Sequence, residues 1–392
     1  MKQALFKRFD DHYEEMVHIR RYLHQHPELS FKEYKTAAYI AEFYRQLGIE
    51  VQTGVGGNGV VARIKGKKPG KRIALRADFD ALPIQEETGL PFSSTVPGIM
   101  HACGHDGHTA VLLTIGRVLH EMIDDLPGEY VFIHQHAEEL APGGAVSMIK
   151  DGCLDGVDAI FGTHLWAEIP YKTISYRTGP FMAAADGFEI VIKGRGGHGA
   201  MPHKTKDAIV IGSQLVTNLQ HIVSRRVNPV DPAVISVGSF VAENAFNVIA
   251  DTAKLKGTVR TFSEEARDFI EKEMETVIKG TCLANGCDYE FTYHRGYPAV
   301  VNHQNETEFL AKKAAEVQGV DHVEELELQM GGEDFAYYLQ HVKGTFFFTG
   351  AQPDPESSYP HHHPKFDIKE EAMLLAAKTL AWTAVEYQKQ ER

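Results

Sequence analysis

Apolar residues recur at helical spacing from Leu5 to Leu23 through Phe6, Phe9, Tyr13, Met16 and Ile19. Residues 4–24 therefore read as helix with one buried face, broken at HPELS. A second helical pattern runs from about Glu33 through AAYIAEFYRQLG and ends at Gly48. The period then falls to two. Residues 51–66, VQTGVGGNGVVARIKG, alternate about a Gly-Asn-Gly turn and predict a hairpin. RIALRADFDALPI, residues 72–84, predicts a buried strand, and TAVLLTIGRVLHEMI returns to helical spacing. YVFIHQHAEEL (130–140) and DAIFGTHLW (158–166) predict further strands. Strands alternating with helices predict an α/β fold, a mostly parallel sheet with helices on both faces.

Near residue 183 the order changes. An alternating strand, a glycine-rich turn at 194–199, a helix from about Asp207 to Ser224, two strands, a helix and a last strand follow. This βαββαβ order predicts a two-layer unit of roughly 110 residues that closes on itself. Beyond it come helix ETEFLAKKAAEVQG, the segment GGEDFAYYL, strand TFFFTGA, three histidines at 361–363 and a terminal helix. These supply missing parts of the first sheet. The expected division is 1–182 with 297–392, and an inserted domain at 183–296.

Composition narrows the function classes. A net charge of −13, with no basic run interleaved with aromatics, argues against nucleic acid as a partner. No apolar stretch approaches a membrane span, so no membrane partner is expected. The charged N-terminal stretch lacks the apolar core of a signal peptide, and the four cysteines (Cys103, Cys153, Cys282, Cys287) are irregularly spaced. Both features predict reduced thiols and a cytoplasmic location.

The candidate chemistry centres on MHACGHDGHTA, residues 100–110, where His101, Cys103, His105 and His108 cluster just before a helix. These are metal-ligating residue types. A helix start there would favour a thiolate at Cys103. His101 and His108 are equally well read as histidines bonded to nearby backbone. Open α/β sheets place ligands beyond the carboxyl ends of their strands. Three predicted strands deliver Asp78 and Asp80, then Glu138 and Glu139, then His164 to that edge. Adjacent glutamates point in different directions, so one can coordinate metal while its neighbour faces the water that metal activates. Residue types alone also allow Cys103 as a nucleophile with His105 as base, or a metal-binding protein without catalysis.

The series ADFDALP, MHACGHDGH, HAEE, GTHLW, GGHGAMPH, GTVRTF, GGEDF and HHHPKFD, in this order, resembles the M20 metallopeptidase family across nearly the whole chain. The subgroup it looks most like is the amidohydrolase branch, with its N-acyl-amino-acid amidohydrolases, hippurate hydrolases and N-acetyldiaminopimelate deacetylases. The resemblance implies two divalent metal ions per subunit, zinc, manganese, cobalt or nickel. Cys103 would bridge them, with His105, Glu139, His164 and His362 as further ligands. His362 is selected by an H-x-P-x-F pattern, with His363 as the alternative. Glu138 would be the general base, and Asp80 would orient a ligand.

In the inserted domain, His198 would be an oxyanion donor, and Asn247 and Arg260 would hold the substrate; a strand-end salt bridge is the other reading of Arg260. That domain would serve as lid and dimerisation surface, giving a homodimer. The implied reaction is hydrolysis of an N-acyl amino acid or related small conjugate, with a dipeptidase of the same chemistry as the alternative. Three positions depart from the family pattern: His136 stands in place of a proline, Ala250 in place of another, and Lys172 where glycine is favoured.

Overall fold

The computed structural model describes residues 1–354, 356 and 358–390. The chain divides into two compact units, one of Met1–Gly179, Val301–Glu327 and Asp334–Arg392, the other of Pro180–Val300 and Leu328–Glu333. The short segment Leu328–Glu333 thus joins the second unit, although the chain has already returned to the first.

The first unit begins with helices α1 (Lys2–Asp11), α2 (Tyr13–Gln25) and α3 (Tyr34–Gln46). Leu5, Phe6, Phe9, Met16, Ile19 and Leu23 are all buried, the stripe that the apolar spacing predicts. Strands β1 (Glu50–Val55) and β2 (Gly59–Lys65) form the expected hairpin, pairing from Glu50↔Arg63 to Val55↔Gly59. Strands β3 (Lys68–Asp78), β4 (Pro127–Gln135), β5 (Ala159–Trp166) and β6 (Thr173–Tyr176) follow. The eight-stranded sheet runs β1, β2, β4, β3, β5, Gly344–Gly350, β6 and His322–Glu325. Its centre, β4–β3–β5–(Gly344–Gly350), is parallel throughout. The hairpin side joins antiparallel through β2 and β4. The sheet is therefore mostly parallel, and β3, β4 and β5 all end at one edge.

Helix α4 (His105–Glu121) is buried on nearly every side, as its apolar run requires. Its N-cap is Gly104 at φ +91°, a left-handed conformation that lets the chain leave Cys103 and enter the helix without a Cβ penalty. Lys172 also has positive φ, +74°, which gives the physical reason why a glycine suits that position. Several short elements escape a periodicity reading, among them β6 and His322–Glu325, each four residues long. Runs so short do not complete enough repeats to show an alternation.

In the second unit a four-stranded antiparallel sheet has the order Val234–Val241, Thr252–Thr261, Ala184–Lys193 and Asp288–His294. Helices Ala208–Arg225 and Glu264–Asn285 pack on it through a separate core that includes Ile190, Ile192, Leu215, Leu219, Ile270 and Met274. Asp207 caps the first of these helices by accepting from the amides of Ile209 and Val210. Among the described residues, no helix is long and apolar enough to cross a membrane.

Candidate metal centre

The central strands end where the loops that follow them carry the acidic residues. β3 stops at Asp78 and puts Asp80 just beyond, β4 stops at Gln135 and puts Glu138 and Glu139 beyond, and β5 carries His164 within its last turn of pleat. Ligand atoms of Cys103, His105 and Glu139 lie within 4.8 Å of one another, as do those of Cys103, His164 and His361. His362 Nε2 is 3.4 Å from Glu139 Oε2, and Glu138 Oε2 is 4.0 Å from His105 Nε2. The first unit therefore gathers Asp80, Cys103, His105, Glu138, Glu139, His164 and His362 at one sheet edge.

A neutral imidazole has one N–H donor and one lone pair, so its partners reveal which nitrogen can coordinate. His105 Nδ1 faces two acceptors, the Asp80 carbonyl at 3.0 Å and Asp80 Oδ1 at 3.2 Å, and must carry a proton. Its Nε2 is buried with no hydrogen-bond partner among the described residues. His164 Nδ1 donates to the Leu165 carbonyl at 3.0 Å, which turns its Nε2 lone pair toward Cys103 Sγ at 3.4 Å. Both rings are oriented as metal ligands are by partners on the far nitrogen.

His108 is different. Its Nδ1 donates to Asp78 Oδ1 at 2.6 Å, and its Nε2 accepts from the Leu165 amide at 2.9 Å, so neither nitrogen is left over. His101 departs from the alternative of a backbone-bonded histidine: both ring nitrogens are buried without a partner among the described residues. Burial holds His101 down at about 4.

Electrostatics favour a cation. Burial opposes a charged His105, but Asp78, Asp80 and Glu139 outweigh it and hold the ring up at about 10. The Cys103 thiol is pushed up, first by burial and then by Glu139, Glu138 and Asp78. The helix start at His105 favours a thiolate, but burial and three carboxylates overrule that partial charge. A thiolate at Cys103 needs a neighbouring positive charge, which bound divalent ions would provide. His164 is kept neutral by burial and by His108, His361 and His105, the state a ligand requires. Glu139 Oε1 is a further buried oxygen with no partner among the described residues. The donor set of thiolate, imidazole and carboxylate thus fits divalent transition metals.

Supporting contacts hold these groups in place. Asp80 Oδ2 accepts from Ser30 Oγ at 2.6 Å and from the Glu139 amide at 2.9 Å, which ties the β3 and β4 loops together. Arg76, buried on β3, donates to Asp78 Oδ2 at 2.5 Å, Asp334 Oδ1 at 2.8 Å and Gln135 Oε1 at 2.9 Å. Sequence spacing gives no signal for Arg76 or Asp334, because the partners are 258 positions apart.

His198, Asn247 and Arg260 belong to the second unit. His198 is exposed, and its Nδ1 accepts from the Ala200 amide at 3.1 Å. The Asn247 carbonyl accepts from the Gly199 amide at 2.8 Å, which joins the two segments that carry these residues. Arg260 donates to the carbonyls of Met330 at 3.2 Å and Val259 at 3.0 Å and to the Thr258 hydroxyl.

Comparison with known proteins adds an independent line. The model of peptidase family M20/M25/M40 matches residues 74–386. YhaA of Bacillus subtilis (strain 168), provisionally named an amidohydrolase, is 61% identical over 388 residues, covering 99% of this chain and 98% of that protein. The N-acyl-L-amino acid amidohydrolase of Geobacillus stearothermophilus is 49% identical over 302 residues, with 77% of this chain and 82% of that protein covered. A solved structure of Bacillus subtilis YXEP, described as a dinuclear metal binding peptidase from the M20 family, superposes with a TM-score of 0.85 at 38% identity, covering 97% of this chain and 100% of that one.

Proposed function

The chain belongs to peptidase family M20/M25/M40 and is an amidohydrolase, and we propose that it hydrolyses the amide bond of N-acyl amino acids or related small conjugates. Cys103, His105, Glu139, His164 and His362 would hold two divalent ions. The observation that carries this assignment is the convergence on Cys103 of His164 Nε2 and of His105 Nε2, which has no hydrogen-bond partner among the described residues, with Glu139 beside His105. When bound, two such ions polarise an amide carbonyl and bring the pKa of water toward about 7.

The chain's own residues do the rest. Glu138 takes the proton of the attacking water and delivers it to the departing amine. Asp80 fixes His105 through Nδ1, and its other oxygen fixes the Glu139 backbone, so one carboxylate orients two ligands. His198 donates to the developing oxyanion; acceptance from Ala200 at Nδ1 leaves the proton on Nε2, the state a donor needs. Asn247 and Arg260 hold the substrate's carbonyl or carboxylate. The second unit acts as lid and homodimer surface, supported by exposed Ile209, Val210, Phe240, Val241, Phe246 and Val248. The protein works in the cytoplasm.

The test is turnover after reconstitution with zinc, manganese, cobalt or nickel, against N-acetyl and N-benzoyl amino acids and free dipeptides. Cleavage of the acyl amino acids supports the assignment. Cleavage of dipeptides alone would replace it with a dipeptidase, the reading suggested by the peptidase description of YXEP.

A further inference from the structure

The geometry points to His361 as a positioning residue that donates an N–H···S hydrogen bond to the Cys103 thiolate, a role that rests on the dinuclear hydrolase reading above. His361 Nε2 lies 3.1 Å from the Ala167 amide. A backbone amide can only donate, so Nε2 must present its lone pair. The remaining proton is therefore on Nδ1, and Nδ1 lies 3.7 Å from Cys103 Sγ. A nitrogen that bears a proton cannot coordinate. Although Cys103, His164 and His361 cluster within 4.8 Å, only the first two can be ligands.

The ring has little freedom to choose otherwise. Its centroid is 4.5 Å from Trp166, 4.9 Å from Phe366 and 5.1 Å from His164. Trp166 is in turn stacked on Phe348 at 4.2 Å with 10° between the planes. Ala167 follows directly on β5, the strand that carries His164. One stretch of backbone thus presents a proposed ligand and also fixes the tautomer of the residue that faces the Cys103 sulfur. A donor aimed at a thiolate withdraws electron density from sulfur and so tunes its bond to metal. His362 follows immediately at φ +65°, a left-handed turn that sends the two neighbouring rings to different partners, Cys103 and Glu139.

Two substitutions separate this role from a merely structural one. His361→Asn places its amide where Nδ1 stood and can still donate to sulfur. His361→Gln places it where Nε2 stood and reaches Ala167 instead. With cobalt(II) as the metal, the readout is the thiolate-to-cobalt charge-transfer band in the near ultraviolet, together with cobalt equivalents per chain. His361→Gln is expected to keep the wild-type number of equivalents and shift the band to longer wavelength. His361→Asn is expected to keep the band near its wild-type position. Loss of one cobalt equivalent in His361→Gln would make His361 a ligand and overturn the inference; an unshifted band with full cobalt would make it a bystander and do the same. If the wild-type protein itself shows no thiolate-to-cobalt band, the dinuclear reading has failed at Cys103, before either variant is compared.

Discussion

His105 and Asp106 are neighbours in the first turn of α4, and they enter two buried clusters made of the same residue types with opposite bonding. On the Asp106 side each charge meets its opposite. Asp106 Oδ2 accepts from Arg20 Nε at 2.9 Å and from His24 Nδ1 at 2.8 Å, and Arg20 continues to Asp367 at 2.7 Å and Glu370 at 3.1 Å. His24 Nε2 faces Glu86 at 3.3 Å, so both its nitrogens face carboxylates and carry protons. On the His105 side, Nε2 stands 3.8 Å from Asp78 and Glu139 and 4.0 Å from Glu138, too far for hydrogen bonds. The first cluster is neutralised by protein charges, although Asp106 Oδ1 has no hydrogen-bond partner among the described residues. In the second, Asp78, Glu138 and Glu139 surround His105 Nε2 without bonding to it, and the ligand atoms of Cys103, His105 and Glu139 lie within 4.8 Å of one another. What separates the two is the partner of each imidazole: both nitrogens of His24 face carboxylates within hydrogen-bond reach, whereas His105 Nε2 has none.

Substitutions that break this contrast should have graded effects. The largest is expected for Cys103→Ala, which removes the sulfur common to both ligand groups: metal content should fall and hydrolysis should be lost, while circular dichroism and oligomeric state stay those of the wild type. Arg20→Met acts on the closed side. It leaves Asp106 buried without its guanidinium, which costs about 3–5 kcal/mol, so the denaturation midpoint should drop sharply while the folded fraction keeps its full metal content. Loss of metal at unchanged stability would show that the two clusters are not separable as described.

Asp80→Asn should be milder. It keeps the shape but weakens the acceptor behind His105, and metal affinity measured by chelator competition should fall about 10- to 100-fold. Glu86→Gln should give the smallest effect, and one that depends on pH. Burial works against the charged Glu86 carboxylate, but His24, Thr88 and the Ser94 amide hold it down at about 2, against an ordinary 4.5. Its contribution is therefore present above pH 4.5 and lost as pH falls through about 2. His24 is raised, opposed by burial but favoured by Asp106 and Glu86, so its contribution is full below pH 6.5 and fades as pH rises past that value. The melting-temperature difference between wild type and Glu86→Gln should be greatest between these limits and vanish toward pH 2. A difference constant with pH would rule out the charge pairing.

The sequence already places Asp78, Asp80, Glu138, Glu139 and His164 at one sheet edge, because strand ends are local features and the central strands are long apolar runs. Equally legible is the hairpin of β1 and β2. Tautomers are not legible. His101, His105 and His108 fall within one short motif, and only the partners Asp80, Asp78 and Leu165 separate a ring with a free nitrogen from one with none. The three consecutive histidines at 361–363 pose the same problem. His361 is held by Ala167, His362 reaches Glu139, and His363 stacks on Tyr359 at 4.5 Å while Nδ1 accepts from the Lys365 amide. Those differences depend on backbone 194 positions away from His361 and on the left-handed turn at His362.

On the proposed assignment, metal is held by one set of residues and the proton is moved by another, Glu138. Glu138→Gln separates the two most directly, by counting metal ions per chain alongside hydrolysis of an N-acyl amino acid. Two ions per chain are expected in both proteins, with a loss of about 10²- to 10⁴-fold in kcat for the variant. Turnover that persists in Glu138→Gln with its metals in place would contradict that assignment.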